Sequence, residues 1–540
     1  MTGDGFITNN AESVIESRPD RRPTAARDGA KQSWERANAI PQLSQQARSM
    51  AQIKSSARPI NAGHLKWTAV TPRLARRLDQ EQAPSPCERA PRFLNDLPAI
   101  EENYEPKQPI TKKLQRLIHA YSYAEAFEQA IASVCQQQIP ELDQIHNLNQ
   151  FYYFVDAMVT WIPELRSWQW IDGIYHERTD YLRITQFYYY FSQPSLIALQ
   201  SAIQPVTGAF LAPLSLWLRE YAIEYGKFLD TPESIKYLQS YGYGPEYALD
   251  NNQYVDTGMS GYKSFNAWFS RTFKAIDQQR PVAEPDNQRI ITFPAESTVV
   301  GQWAIRGDVN AGGRETSAVV VKHIEWPIAA LLSGSAYAED FAGGTLVQCF
   351  LNVNDYHRQH APAAGKILEA RFIPGQVFME VELETAAPEQ DTATSSSAGE
   401  WPEAQLEARD RLGFQFLQCR GLFVLQTAVG KIAVLPVGMA QVSSVVFVQP
   451  GSEELIRLSE AEQQQLSYDE QVRLINARIQ TEVVGRTVNK GDMMTSFLFG
   501  GSDCLMLFER QANIHLTASV GAHYPVRSQM AYSARERLLA

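Results

Sequence analysis

An α+β chain is what this sequence predicts, with a helical N-terminal domain followed by a mostly β domain. Three observations carry that expectation. Apolar residues after about position 107 recur at steps of three and four, the period of a helix with one buried face. Aromatic-rich segments continue the helical character to about residue 250. After about 260 the pattern changes to short β-type runs between glycines and prolines.

Taken in order, residues 1–105 read as a tail or linker, rich in Arg, Pro, Ala, Ser and Gln. The run Arg18-Pro19-Asp20-Arg21-Arg22-Pro23 suits neither a regular helix nor a central strand. Residues 1–60 hold nine Lys/Arg against six Asp/Glu, a mildly basic stretch that reads as a solvated linker or as a contact for anionic lipid or a partner. Residues 106–254 form the expected helical domain. Leu114, Leu117, Ile118, Tyr121, Ala124, Phe127, Ile131 and Val134 are expected to form one buried helical stripe. Phe151 to Phe154, Phe187 to Phe191 and Leu214 to Tyr225 read as core packing rather than as a cofactor box. Residues 255–540 form the β domain. Gly421 to Val437 reads as two buried strands meeting near Gly430-Lys431, and Lys366 to Glu384 as a similar pair broken at Pro374-Gly375. The low-complexity stretch at 386–403 is expected to be a surface insertion.

Composition removes several function classes. The net charge is −11, which argues against a nucleic-acid-binding surface. No run approaches the apolar length of a transmembrane helix, and the polar start lacks the apolar core of a signal peptide. A cytoplasmic protein is expected, with any membrane contact peripheral. The five cysteines are odd in number and widely spaced, without a CxxC pair, so neither a disulfide framework nor a zinc ribbon is supported.

Four clusters carry chemistry. They are Phe265-Asn266-Ala267-Trp268-Phe269-Ser270-Arg271, Phe293-Pro294-Ala295-Glu296-Ser297, Asp355-Tyr356-His357-Arg358-Gln359-His360-Ala361-Pro362 and Phe499-Gly500-Gly501-Ser502-Asp503. His357 and His360 alone admit three readings: a metal pair, two buried structural imidazoles, or acid–base groups. No third ligand is marked and Arg358 stands between them, so no metal is expected. Gly-Gly-Ser alone reads as a turn or as an anion nest. It is neither a P-loop nor a nucleophile elbow.

In order and spacing the four clusters together resemble the phosphatidylserine decarboxylase family of pyruvoyl enzymes over roughly residues 255–540. DYHRQHAP is the most specific motif, and Val488-Asn489-Lys490-Gly491-Asp492 looks like the family's lead-in to the cleavage strand. The helical part resembles the extra domain of a soluble subgroup that includes the fungal tryptophan decarboxylase of psilocybin synthesis.

The resemblance implies self-cleavage between Gly501 and Ser502, with Gly500 and Gly501 permitting strained backbone angles. Ser502 would become a covalent pyruvoyl cofactor, and a 39-residue α chain (502–540) would remain bound through the buried strand Cys504 to Phe508. His360 matches the family's processing base, His357 its decarboxylation histidine, and Glu296 the carboxylate expected to orient His360. Asp355 and Tyr356 are supporting residues of the same motif. Asp503, where the family usually carries Thr or Ser, is expected either to slow attack by its charge or to accept a proton locally. The implied reaction is loss of CO₂, through a Schiff base, from phosphatidylserine or from a free, aromatic or other, L-amino acid. The implied partners are that substrate, the α and β chains of one precursor, and a second copy in a dimer. The rival reading is an unprocessed binding protein.

Overall fold

The computed structural model describes residues 104–539 apart from 140–141, 166–167, 172–173, 178, 204–210, 244–252, 256–260, 310–314, 322–323, 386–403, 409–412, 439–444, 453 and 500–501. Most of the expected tail, the insertion at 386–403 and both glycines of the expected cleavage site therefore lie outside the described residues. The structure is α+β, with helices in the N-terminal part and antiparallel sheets after it.

The helical part begins with α1 (Pro109–Ala120) and α2 (Ala124–Gln136). Proline opens α1, where its missing N–H costs nothing. The apolar stripe expected on one helix is thus divided between two. Tyr121, 55% exposed, and Ser122, at φ 56°, make the break, and Phe127 and Val134 resume the buried face on α2. The three-and-four spacing survives the turn because both helices pack on the same core. Helix α3 (Leu148–Val159) is capped by Asn147, whose side chain accepts from the Gln150 amide at 3.0 Å. Helices α4 (Thr179–Phe191) and α5 (Pro213–Leu229) complete the core. The aromatic segments are core, as their density suggests: Phe187 stacks on Tyr221 at 4.3 Å, and Phe151 meets Tyr190 edge-on at 5.0 Å.

The β part is organised around one antiparallel sheet. Its strands, in chain order, are β1 (Ser297–Ala304), β2 (Thr345–Leu351), β3 (Gly365–Ile373), β4 (Arg420–Thr427), β5 (Gly430–Gly438) and β6 (Ser502–Phe508). They lie in the order β3-β4-β5-β6-β2-β1, with short strands at 487–488 and 523–524 on the two edges. The β4–β5 hairpin turns at Gly430, as expected, where φ is +117° and L residues are strained.

The second expected pair differs. Val381–Thr385 pairs not with β3 but with Ala404–Ala408, across the insertion. Gly375 approaches the chain beyond it too closely for any side chain, since a Cβ would lie 2.3 Å from the Leu417 carbonyl. This arm packs on α4, where the Tyr181 hydroxyl donates to Glu407 at 2.8 Å and accepts from the Ala408 amide at 2.7 Å. The arm thereby ties the helical part to the β part.

Strand β6 is buried along its whole length. It pairs with β5 through Ser502↔Gly438 to Phe508↔Ile432 and with β2 through Ser502↔Leu351 to Phe508↔Thr345. Its side chains alternate between two cores. Cys504, Met506 and Phe508 join the core shared with the helices, whereas Leu505 and Leu507 join a smaller core on the opposite face. Immediately before β6, Met493–Phe497 belongs to a different, four-stranded sheet, where it pairs with Arg358–His360. The chain therefore passes from one sheet to the other between Phe497 and Ser502.

Candidate active site

Ser502 opens β6 and is 1% exposed. Its Oγ lies 3.3 Å from Nδ1 of His357. The other ring nitrogen, Nε2, faces the Val353 carbonyl at 3.2 Å. A carbonyl can only accept, so Nε2 carries the proton and Nδ1 is left to accept from the serine hydroxyl. Phe269 stacks on the imidazole at 3.8 Å and fixes the ring plane. The first and third sequence clusters thus meet the fourth at one atom pair.

His360 stands elsewhere in the same motif. Its Nδ1 donates to the Gly491 carbonyl at 2.7 Å, and its Nε2 accepts from the Tyr356 hydroxyl at 3.3 Å. It lines a separate cavity of about 260 Å³ with Tyr356, Asp492 and Arg527. Gly491 is obligatory there: φ is +88°, and a Cβ would meet Val282 at 2.5 Å. The same carbonyl accepts from Arg527 Nε and Nη2 at 2.9 and 2.8 Å.

The expected carboxylate–histidine contact is not formed. The loop of Glu296 does reach His360, because the His360 amide donates to the Pro294 carbonyl at 2.7 Å. The Glu296 side chain instead takes a two-pronged contact with Arg280, at 2.8 and 2.9 Å. A planar guanidinium offers two charge-assisted bonds where a neutral imidazole offers one, and the glutamate's extra methylene gives the reach. Asp355 is held by the His523 ring at 2.8 Å and the Asn352 amide at 2.7 Å, and so shapes the turn before Tyr356.

Burial pushes both site histidines down to about 3. At His357 the Arg271 charge adds to it, and at His360 the charges of Arg527 and Arg358 add to it against the Gly491 hydrogen bond. Both imidazoles are neutral at pH 7 in the fold. In the unfolded chain they protonate near 6.5. The stability they contribute is complete above pH 6.5 and is lost as pH falls from 6.5 towards 3. Urea midpoints should therefore drop across that window, and replacing both histidines with glutamine should flatten the drop.

Asp503 sits beside Ser502 in sequence but on the opposite face of β6. Its Oδ2 accepts from the amides of Gln348 at 2.9 Å and Gln415 at 2.5 Å, and all three residues are fully buried. The carboxylate is held by these two amides on the far face, while its charge still reaches Cys349 and Cys504 on the Ser502 side. Asp503→Ala should cost about 1–3 kcal/mol by removing the carboxylate that accepts from two buried amides. It should leave the chemistry at Ser502 in place, as a thermal melt beside a gel of the chains would show.

Asn266 belongs to the first cluster, but its role needs the tertiary structure to be seen. Its Oδ1 accepts from the Phe499 amide at 3.1 Å, and its Nδ2 donates to the Gly226 carbonyl and to Asp230 on the helical side. One side chain therefore ties the helical part to the segment just before Gly500. Phe499 is further packed by Phe265 at 5.0 Å, Phe269 at 5.4 Å and Trp161 at 6.4 Å. Asn266→Ala should lower stability by about 1–3 kcal/mol through the unpaired Phe499 amide. The same change should slow any reaction at Ser502, which a time course on freshly translated protein would reveal.

Among the described residues no group of three His, Cys, Asp or Glu could hold a metal ion, and no helix is long and apolar enough to cross a membrane.

A buried serine at the head of a central strand, with a neutral imidazole on its hydroxyl, defines a domain built around one activated internal serine. Residues 265–531 match the phosphatidylserine decarboxylase family model. Over 278 residues the chain is 26% identical to the phosphatidylserine decarboxylase proenzyme of Anaeromyxobacter sp. (strain K), covering 52% of this chain and 80% of that protein. The proenzyme of Pseudomonas aeruginosa (strain LESB58) is 29% identical over 282 residues, with the same coverage of each. Phosphatidylserine decarboxylase proenzyme 3 of Schizosaccharomyces pombe is 32% identical over 161 residues, 30% of this chain and 15% of that protein. This region of the chain belongs to the phosphatidylserine decarboxylase family.

Proposed function

We propose that the chain is a self-processing, pyruvoyl-dependent decarboxylase that breaks its own backbone between Gly501 and Ser502. The observation that carries this reading is the buried Ser502–His357 pair at the start of β6, at the place the Gly-Gly-Ser sequence marks. Ser502 Oγ passes its proton to His357 Nδ1 and attacks the Gly501 carbonyl carbon, turning the peptide bond into an ester. Removal of the Ser502 α-proton expels the Gly501 carboxylate. Water then releases ammonia and leaves a ketone at the new N-terminus.

The residues present fit that product. The position is dry, the imidazole is neutral and within reach, and β6 is held on both edges by pairings that do not depend on the 501–502 bond. When formed, the pyruvoyl carbonyl supplies an electron sink for loss of CO₂ from an α-amino carboxylate. The chain's own part is to orient and to move protons. Phe269 and Val353 hold the His357 ring, and His357 returns a proton at the reacting carbon. Burial of β6 retains the small chain.

Phosphatidylserine is the first substrate to test, because the relatives' names point to it, and free aromatic L-amino acids are the second. The test is an intact mass of the purified protein followed by CO₂ release from each substrate. Two chains parting at 501/502, the smaller blocked at its N-terminus, are expected. A single uncut chain would instead favour a non-catalytic binding protein.

A further inference from the structure

An open cavity of about 530 Å³ is lined in part by Ala267, Ser270 and Arg271 of the first cluster. Its lining includes three arginines, Arg271, Arg358 and Arg457, and one acid, Asp230. Among the described residues of its lining, cations thus outnumber acids in a protein whose net charge is −11.

Arg271 is the unusual member. It is 2% exposed, stacked against Tyr254 at 4.8 Å and Trp268 at 5.2 Å. Its Nη2 donates to the Asn354 and Asp355 carbonyls at 2.6 and 3.2 Å. Its Nε and Nη1 are buried and have no hydrogen-bond partner among the described residues. No carboxylate among those residues pairs with it. A buried guanidinium without a counter-charge is costly, and the fold keeps it. Arg358, 8% exposed, is fixed close by through its Nε, which donates to the Ser270 carbonyl at 2.8 Å. Arg457 is exposed, and Asp230, which accepts from Asn266, also feels its charge.

We infer that this cavity binds a phosphate-class oxyanion between Arg271, Arg358 and Arg457. A single carboxylate saturates one planar guanidinium fork. A tetrahedral phosphate presents oxygens in several directions and can meet guanidinium groups from more than one side. The same chemistry comes from free phosphate or from the phosphodiester of a lipid headgroup. The site itself assumes nothing about the reaction at Ser502. Only its assignment to a headgroup rests on the decarboxylase reading.

The test is calorimetric titration of the full-length protein in chloride buffer with inorganic phosphate, glycerophosphoserine and acetate. Saturable binding of one phosphate is expected, weakened about tenfold or more by Arg271→Gln and by Arg457→Gln. Arg457 is exposed, so its variant remains informative if loss of Arg271 disturbs folding. Glycerophosphoserine binding more tightly than phosphate would support the site with a headgroup as the source. Equal affinities would support it with free phosphate as the source. No phosphate binding, unchanged affinity in Arg457→Gln, or acetate binding as tightly as phosphate would overturn it. These readouts do not depend on cleavage or turnover, so a failed decarboxylase assay would leave the phosphate site standing.

Discussion

Ser502→Ala should yield one uncut chain with no decarboxylase activity, whereas the parent protein should run as two chains. The loss is expected to be complete rather than partial, because the hydroxyl plays two parts. On the proposed reading Oγ is the nucleophile that opens the Gly501–Ser502 bond and leaves with the Gly501 carboxylate, while the elimination it permits turns the serine's own carbons into the reacting ketone. Among the described residues no other hydroxyl hydrogen-bonds His357, and solvent is excluded from a residue that is 1% exposed. The variant should fold normally. Ser502 pairs through its backbone with Gly438 and Leu351, and those contacts do not involve Oγ. Intact mass spectrometry and CO₂ release decide the matter together. An active Ser502→Ala protein would end the pyruvoyl reading. An inactive parent that is also uncut would turn attention to binding.

Much of this was legible in the sequence, for identifiable reasons. Helical periodicity marked the N-terminal part because its aromatic faces are buried against one another. Continuous apolar runs marked β4, β5 and β6 because those strands are covered on both faces. The reacting groups were legible as residue types: Ser502, His357 and His360 all proved buried, and two of them meet. What the sequence did not carry was partner choice. Nothing in local spacing says that Glu296 is taken by Arg280, sixteen residues earlier, or that Asp503 turns to Gln348 and Gln415. Strand alternation could have placed Asp503 opposite Ser502, had the strand been started at 502 rather than 504. The stripe from Leu114 to Val134 misled for a related reason. Periodicity reports a shared buried face, not an unbroken backbone. Asn266 stood in a quoted motif, yet its bond to Phe499 spans 233 residues and is invisible to any local pattern.

His357→Ala should lower turnover of the cleaved enzyme by about 10²–10⁴-fold, the usual loss when a positioned proton-transfer group is removed. The resemblance gives His357 the decarboxylation step, and its contact with Ser502 is consistent with that role. The resemblance also gives cleavage to His360, but His360 faces Gly491 and Tyr356 and makes no hydrogen bond to Ser502. The Ser502–His357 contact leads us to propose His357 as the base for both steps, so His357→Ala should slow cleavage as well. His360→Ala should act mainly through the Tyr356 and Gly491 contacts, with a larger effect on stability than on cleavage. Cleavage half-times and single-turnover rates of the two variants separate these roles, because cleavage is read on fresh precursor and turnover on mature enzyme. Parental cleavage in His357→Ala together with none in His360→Ala would return the base role to His360. Ser502 would then have to swing from the Phe269 side towards Tyr356 before it attacks. That outcome would make the Asn266 clamp on Phe499 the natural hinge of the step, since it holds the backbone three residues before the serine.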